Sequence, residues 1–480
     1  MLFNTVNFLV FLLAVLGVYA LTTTYAQRAT VILIASLLFY AAWKPAFLLL
    51  LLGSLSINYL FYAALMRERS RSLLTIALIL NLTVLGACKY LAFLVENTFA
   101  LWGWVTATSA AQTPDWLHWA LPLGISFYTF HMLSVMIDVY RGDWTRQISF
   151  RSWSLYVTFF PHMVAGPILR ASELVEQLEQ IGPLQLVNLR FGALLFLAGL
   201  LKKLLLADHL APLANMAYAN PELLTTSMAW LGTTAFALQI YYDFSGYSEM
   251  AIGLAWMFGV RLPRNFLYPY ISRNPREFWQ RWHITLSRWL RDYLYVSLGG
   301  SRVGFTRNLI NLLLTMVIGG LWHGAAWTFV VWGFIHGGFL ILHRFVLRFY
   351  DWLGVARWPV LTSLLSYLGW PCTMVVVAFS WVFFRAESFG SAWLICQAML
   401  GLATPMGDTI QFRTFQIGLI AAGMVIAVLE PWFVGICAKR DVAGFWWSQP
   451  AWLRGVGYAG LTLFLTVFGG AAQKFIYFDF

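Results

Sequence analysis

Residues Ala46 to Met66 read AFLLLLLGSLSINYLFYAALM, twenty-one positions without a charge. As a helix rising about 1.5 Å per residue, such a run matches the ~30 Å hydrocarbon core of a bilayer. A helix also satisfies its own backbone hydrogen bonds where water is absent. The run ends at Arg67-Glu68-Arg69-Ser70-Arg71, a basic connection of the kind retained on the cytoplasmic side. The stretch predicts a transmembrane helix with a defined direction.

The pattern repeats along the chain. Apolar stretches at 5–22, 28–43, 72–94, 119–139, 188–206, 226–242, 247–260, 325–347, 362–384, 414–435 and 452–472, among others, predict roughly 10–13 crossings. The stretches 152–169 and 308–321 read as re-entrant or half-spanning. The chain is 60% hydrophobic and 11% charged, whereas soluble domains run near half apolar and about a quarter charged. The expected fold class is an all-α polytopic membrane protein, organised as a single integral-membrane domain over 1–480. The 24 Trp and 21 Tyr fit aromatic belts at the two interfaces. The first span has neither a basic leader nor a small-residue cleavage site, so it reads as a retained helix. Cys88, Cys372, Cys396 and Cys437 are far apart and form no CxxC pair, which points to neither a metal knuckle nor a disulfide framework.

A net charge of +11 reports orientation in such a chain before it reports nucleic-acid binding. Arg67 to Arg71, the group Arg141, Arg146 and Arg151, the pair Lys202-Lys203 and the pair Lys439-Arg440 are expected in the cytoplasm. Three spans before the first of these place the N-terminus in the periplasm or its equivalent.

The largest polar insertion, 261–307, carries nine arginines against Glu277 and Asp292. From Phe278 to Leu294 it has helical period: Arg281, Thr285, Arg288 and Asp292 share one face, and Trp282, Leu286, Trp289, Leu290 and Tyr293 the other. The expectation is one amphipathic cytoplasmic helix in the interface, with tryptophan anchors and arginines toward headgroups or an anionic ligand. His283 falls at the edge of the apolar arc.

His323 stands in the apolar run Gly319-Gly320-Leu321-Trp322-His323-Gly324-Ala325-Ala326-Trp327. A histidine at membrane depth is costly, and its ordinary pKa suits proton transfer near neutrality. Two readings stand: a histidine bonded to a backbone carbonyl, or a general base. The neighbouring glycines allow close approach of backbone or substrate. Phe160 to Arg170 contains Pro161, His162, Gly166 and Pro167. Two prolines and a glycine break any helix there, and broken backbone at this depth must be buried in protein or line a cavity. Residues Gln239 to Glu249, with Tyr242, Asp243, Ser245 and Ser248, form a polar seam, read either as an interhelix network around a turn or as a wet tunnel lining. Asp243 could also orient a histidine.

Other chemistries find no support. There is no GxSxG elbow, no P-loop and no HExxH zinc motif. No metal is expected. A transporter for acetate or a lipid-linked intermediate would lean on intramembrane acids, and Asp138, Asp243 and Glu249 are few.

Four motifs in order carry a resemblance. Arg281-Trp282-His283-Ile284-Thr285-Leu286-Ser287 with Trp289 to Tyr295 and Leu298-Gly299-Gly300, then Gly319-Gly320-Leu321-Trp322-His323-Gly324, together with Phe160–Arg170 and Tyr242–Ser248, are similar to the signature of membrane-bound O-acyltransferases. The bacterial alginate O-acetyltransferase-like subgroup is the nearest likeness, over roughly residues 1 to 400. The ending Phe475 to Phe480 is also similar to endings in that subgroup. The resemblance implies a ring of tilted transmembrane helices around a central tunnel, with re-entrant and interfacial helices. It implies His323 as the catalytic histidine and His283 as the second motif histidine. It places Arg281, Trp282, Arg288 and Arg291 at a cytoplasmic donor mouth, with Tyr242, Asp243, Ser245, Trp322 and His162 along the tunnel. The expected activity is O-acetyl transfer from a cytoplasmic donor, acetyl-CoA, across the bacterial inner membrane to an exported polysaccharide of the alginate type, or to cellulose or peptidoglycan. A periplasmic SGNH-type acetyltransferase or a relay protein is the expected partner, along with membrane lipids.

Overall fold

The computed structural model describes residues 2–106, 114, 117, 121–405, 407, 409–469 and 473–476. The first residues of the expected span 119–139, the last of 452–472, and Tyr477 to Phe480 of the ending lie outside the described residues. Every regular element described is helical. Among the described residues, seven helices are long and apolar enough to cross a membrane: Ala46–Arg67, Arg71–Lys89, Phe305–His323, Trp327–Leu353, Pro359–Arg385, Thr414–Lys439 and Ala451–Phe468. Val6–Ala20, Tyr25–Ala41 and Phe389–Met399 are shorter and apolar. The chain is a multi-pass membrane protein.

The residues fall into two compact units. The first comprises 1–193, 251–263 and 322–326. Its helix starts follow local chemistry. Thr24 accepts from the Gln27 amide while the Gln27 side chain returns to the Thr24 amide, and Ser70 caps Arg71–Lys89; each such cap stabilises by about 1 kcal/mol. Asn58 and Asn81 exchange side-chain amide bonds at 3.1 and 2.6 Å, joining Ala46–Arg67 to Arg71–Lys89. In an apolar surround such a reciprocal pair fixes both rotation and depth of the two helices. The core is aromatic: Phe8, Phe39, Phe160 and Phe258 are buried, and Phe160 meets Phe39 and Phe258 at centroid distances of 5.9 Å.

The stretch 152–169, expected to be re-entrant or half-spanning, is a short helix followed by irregular chain. Helix Phe150–Thr158 has nine residues, and from Phe159 to Leu169 the chain is irregular and buried throughout. Pro161 and Pro167 supply the break.

The second unit comprises 194–250, 264–321 and 327–480. Four expectations are corrected here. The stretches 226–242 and 247–260 belong to one helix, Thr226–Met257, so no turn interrupts the polar seam. The stretch 308–321 belongs to the 19-residue helix Phe305–His323, long enough to span. The amphipathic helix expected from Phe278 to Leu294 is three pieces: Pro275–Arg281, Ile284–Trp289 and the wider π-helical turn Leu290–Tyr295. Periodicity alone could not show that His283 takes a left-handed backbone, φ 40°. Finally, Lys202-Lys203 is no cytoplasmic marker: both lysines turn inward to carboxylates, as described below.

Candidate active site

The helix Phe305–His323 carries His323 as its last residue, and the chain leaves helical geometry at Gly324. A helix ends with carbonyls that lack an intrahelical donor and that form the negative pole of its dipole. Here Lys89, the last residue of helix Arg71–Lys89, answers them. Its ammonium donates to the carbonyl oxygens of Trp322 and, at 3.0 Å, of His323. The same nitrogen stands 5.8 Å from the centre of the Trp322 ring. Trp322 is stacked on Phe130 at 5.6 Å and met edge-on by Phe127 at 5.5 Å. The His323 ring is 4% exposed and lies 5.0 Å from that of Trp322. The histidine is thus enclosed, with its carbonyl bonded to Lys89 and the ring of the preceding Trp322 packed between Phe127 and Phe130.

The glycines before His323 serve packing. A Cβ at Gly320 would run into the Phe329 carbonyl and press on Gly333, and a Cβ at Gly333 would strike the Met316 carbonyl. They let Phe305–His323 and Trp327–Leu353 close on each other, which is the backbone alternative of the two approaches expected for them.

His283 occupies the second unit, fully buried, between helices Pro275–Arg281 and Ile284–Trp289. Asn274 caps the first of these with Pro275 at its opening position. Two backbone bonds, Leu267 N–H to Arg281 O at 2.9 Å and Ile284 N–H to Asn265 O at 2.9 Å, tie the loop 265–267 across the break and hold His283 at its positive φ. A bulky residue there carries about 1–3 kcal/mol of strain, a cost that recurs at functional positions. The Asn265 Oδ1 accepts from the Thr285 amide at 3.2 Å and the Thr285 hydroxyl at 2.9 Å. That oxygen is therefore an acceptor toward His283 Nδ1 at 3.1 Å, and Nδ1 carries the proton. Nε2 carries the lone pair. Burial pushes the His283 imidazole from its ordinary 6.5 down to about 3, which keeps the ring neutral. Phe244 meets it edge-on at 4.7 Å.

Trp282 does not line an open mouth. It is 1% exposed, packed among Phe266, Tyr270, Phe278 and Trp381 at 4.9–6.2 Å. The helical period had put it on the apolar face, and Trp381, about a hundred residues on, is the neighbour that local sequence could not show. Arg281 is committed to Glu277 and to the Leu267 carbonyl at 3.0 Å. Arg291 is exposed and paired with the adjacent Asp292 at 2.7 Å, while Arg288 is half-buried. His162 is fully buried in the first unit, bonded to the Tyr156 carbonyl at 3.1 Å and ring-to-edge with His131 at 4.7 Å. It lies inside the broken segment.

The polar seam is a buried charge network. Lys203, 4% exposed, bridges Asp208 and Asp243, each at 2.7 Å. Lys202 bridges Glu249 and Glu430, and the Tyr241 hydroxyl donates to Glu430 at 2.6 Å. Asp243 also accepts from the Ile476 amide at 2.7 Å. Phe475 stacks on Tyr247 at 4.5 Å and reaches Phe244 at 5.7 Å. Tyr242 donates to the Gly423 carbonyl at 2.7 Å, and Ser245 is 1% exposed on the same helix. His323, Trp322 and His162 belong to the first unit. His283, Trp282, the three arginines, Tyr242, Asp243 and Ser245 belong to the second. Sequence reasoning passed over Lys89 and Asn265, gave Phe244 only as part of a motif, and read Lys203 as a mark of sidedness. Lys89 had a signal, a lone cation closing an apolar span; Asn265 had none.

The profile of the membrane-bound O-acyltransferase family matches residues 145–380, which include both histidines. The chain is 41% identical to the "Probable alginate O-acetylase AlgI" of Pseudomonas aeruginosa, covering 91% of this chain and 82% of that one.

The chain belongs to the membrane-bound O-acyltransferase family.

It is also 32% identical to the peptidoglycan O-acetyltransferase of Helicobacter pylori over 100% of this chain and 98% of the relative. The teichoic acid D-alanyltransferase of Streptococcus thermophilus is 30% identical over 47% of this chain and 57% of its own length. This O-acyltransferase therefore shares its family with proteins named for different acyl groups and acceptors. No group of three His, Cys, Asp or Glu side chains able to hold a metal occurs among the described residues.

Proposed function

We propose that the protein is an inner-membrane O-acetyltransferase that takes acetyl from cytoplasmic acetyl-CoA and passes it across the bilayer for O-acetylation of an exported polysaccharide of the alginate type. The observation that carries the reading is the enclosed histidine ending Phe305–His323, within a chain 41% identical to an alginate O-acetylase across most of both lengths. His323 takes the proton of the acceptor hydroxyl. The alkoxide attacks the thioester carbonyl, the carbon–sulfur bond breaks, and the thiolate leaves and is protonated. General-base help of this kind is worth about 10²–10⁴ in rate. In this reading the helices ring a central tunnel, Arg288 and Arg291 draw the donor phosphates, and His283 stays a neutral second imidazole. The N-terminus faces the periplasm, an arrangement supported by the exposed arginines Arg67, Arg69 and Arg71. A periplasmic acetyltransferase or relay protein completes transfer to the polymer.

A peptidoglycan acceptor is the second reading, favoured by the full-length match to the Helicobacter relative. Purified protein in liposomes, given acetyl-CoA and either alginate or peptidoglycan fragments with periplasmic extract, tests both. Thiol release that requires His323 and one acceptor is expected. Thiol release that His323→Ala leaves intact would overturn the base role, and transport of acetate without thiol release would replace the enzyme by a transporter.

A further inference from the structure

We infer that Lys89 is a positioning residue for His323, acting through the backbone at the end of the helix Phe305–His323. This rests on the proposed base role of His323. Its partners among the described residues are neutral: two peptide carbonyls and one indole face. Among those residues no carboxylate holds the ammonium, in contrast to Lys202 and Lys203, each bracketed by two acids. What holds it is the negative pole of a 19-residue helix whose final carbonyl belongs to His323.

Two sets of contacts converge on two successive residues, Trp322 and His323. Lys89 takes the Trp322 and His323 oxygens, and the Phe130–Phe127 pair clamps the Trp322 ring. Without the ammonium, those carbonyls lose the lysine's two bonds where water is scarce, and the last turn is held less firmly against unwinding toward Gly324. The His323 ring is rooted on that turn. An arginine can serve two carbonyls from the same stem; a methionine fills the space and donates nothing.

The test compares Lys89→Met, Lys89→Arg and Lys89→Gln with the parent enzyme in liposomes. Thiol release from acetyl-CoA is measured, together with carbethoxylation of His323 read by peptide mass. Lys89→Met is expected to lose at least tenfold in kcat with KM for acetyl-CoA changed less than threefold. Lys89→Arg is expected to recover kcat to within threefold, and Lys89→Gln to fall between. The His323 modification rate should shift severalfold in Lys89→Met and return in Lys89→Arg. If methionine prevents insertion, the glutamine variant carries the comparison. Unchanged kcat and modification in both neutral variants, or equal losses in arginine and methionine, overturn the inference. Full activity in His323→Ala together with a Lys89-dependent modification rate would fail the base reading and leave the positioning role standing.

Discussion

His283 donates its Nδ1 proton to the Asn265 side-chain oxygen at 3.1 Å, and Thr285 occupies the same oxygen with two further bonds. One asparagine therefore fixes the tautomer of the histidine, the break between two helices and the start of the second. His283 is neutral, oriented and strained at once, a combination that packing alone does not require.

Replacing Asn265 by alanine strands three buried donors. Each costs about 1–3 kcal/mol when left without an acceptor, so the variant should lose several degrees of thermal midpoint in detergent and at least tenfold in acyl transfer. Asn265→Asp keeps the acceptor and adds a negative charge, which raises the proton affinity of His283. It should retain stability near neutrality better than the alanine variant. A midpoint for Asn265→Ala equal to the parent's would show that the network carries no weight.

The pH dependence follows from His283. Its pKa is about 3 when folded and 6.5 when exposed, so between those values the unfolded chain binds the extra proton. Stability therefore falls as pH drops below 6.5, by at most about 1.4 kcal/mol per pH unit from this group. Thermal midpoints of the parent and His283→Gln, measured from pH 7.5 to 4.5, should differ in slope, with the parent steeper. Parallel slopes would sink the assignment.

Gly320→Ala should disrupt the closure of Phe305–His323 on Trp327–Leu353, because the new Cβ meets the Phe329 carbonyl, a backbone atom that cannot turn aside. A Cβ added at Gly338, on the second of these helices, would meet nothing within 4 Å. Gly338→Ala should be neutral or stabilising by up to about 1 kcal/mol. The expected ordering of thermal midpoints is Gly338→Ala at or above the parent and Gly320→Ala well below.

Asp243→Asn leaves Lys203 with one acid and removes the charge that holds the Ile476 amide. Breaking a buried pair from one side costs about 3–5 kcal/mol. Adding Lys203→Met to Asp243→Asn should recover part of the loss, since the uncompensated ammonium is gone. A double variant as unstable as the sum of the two singles would argue that the residues do not interact.

The long apolar helices were legible because each is its own periodic signal: Ala46–Arg67 and Pro359–Arg385 were expected almost at their observed ends. The broken segment at 160–170 was legible from its prolines. The break at His283 was not, because a left-handed φ on a non-glycine residue is imposed by the distant Asn265 loop. The seam at 239–249 looked like a turn because its acids and tyrosines are unusual in an apolar helix. Their partners, Lys203, Glu430 and Ile476, come from three other segments. Both motif histidines could be named from sequence, yet the residues that hold them could not, since neither Lys89 nor Asn265 is near its histidine along the chain.

The inward turn of Lys202 and Lys203 reaches beyond stability. The chain has six lysines, and three of them, Lys89, Lys202 and Lys203, are engaged within the protein, while Lys44, Lys439 and Lys474 are exposed. Sidedness inferred by counting cations would enrol all six as witnesses. A membrane-impermeant amine reagent applied in turn to each face of sealed vesicles should hear from only the exposed three, and it is their testimony that assigns inside and outside.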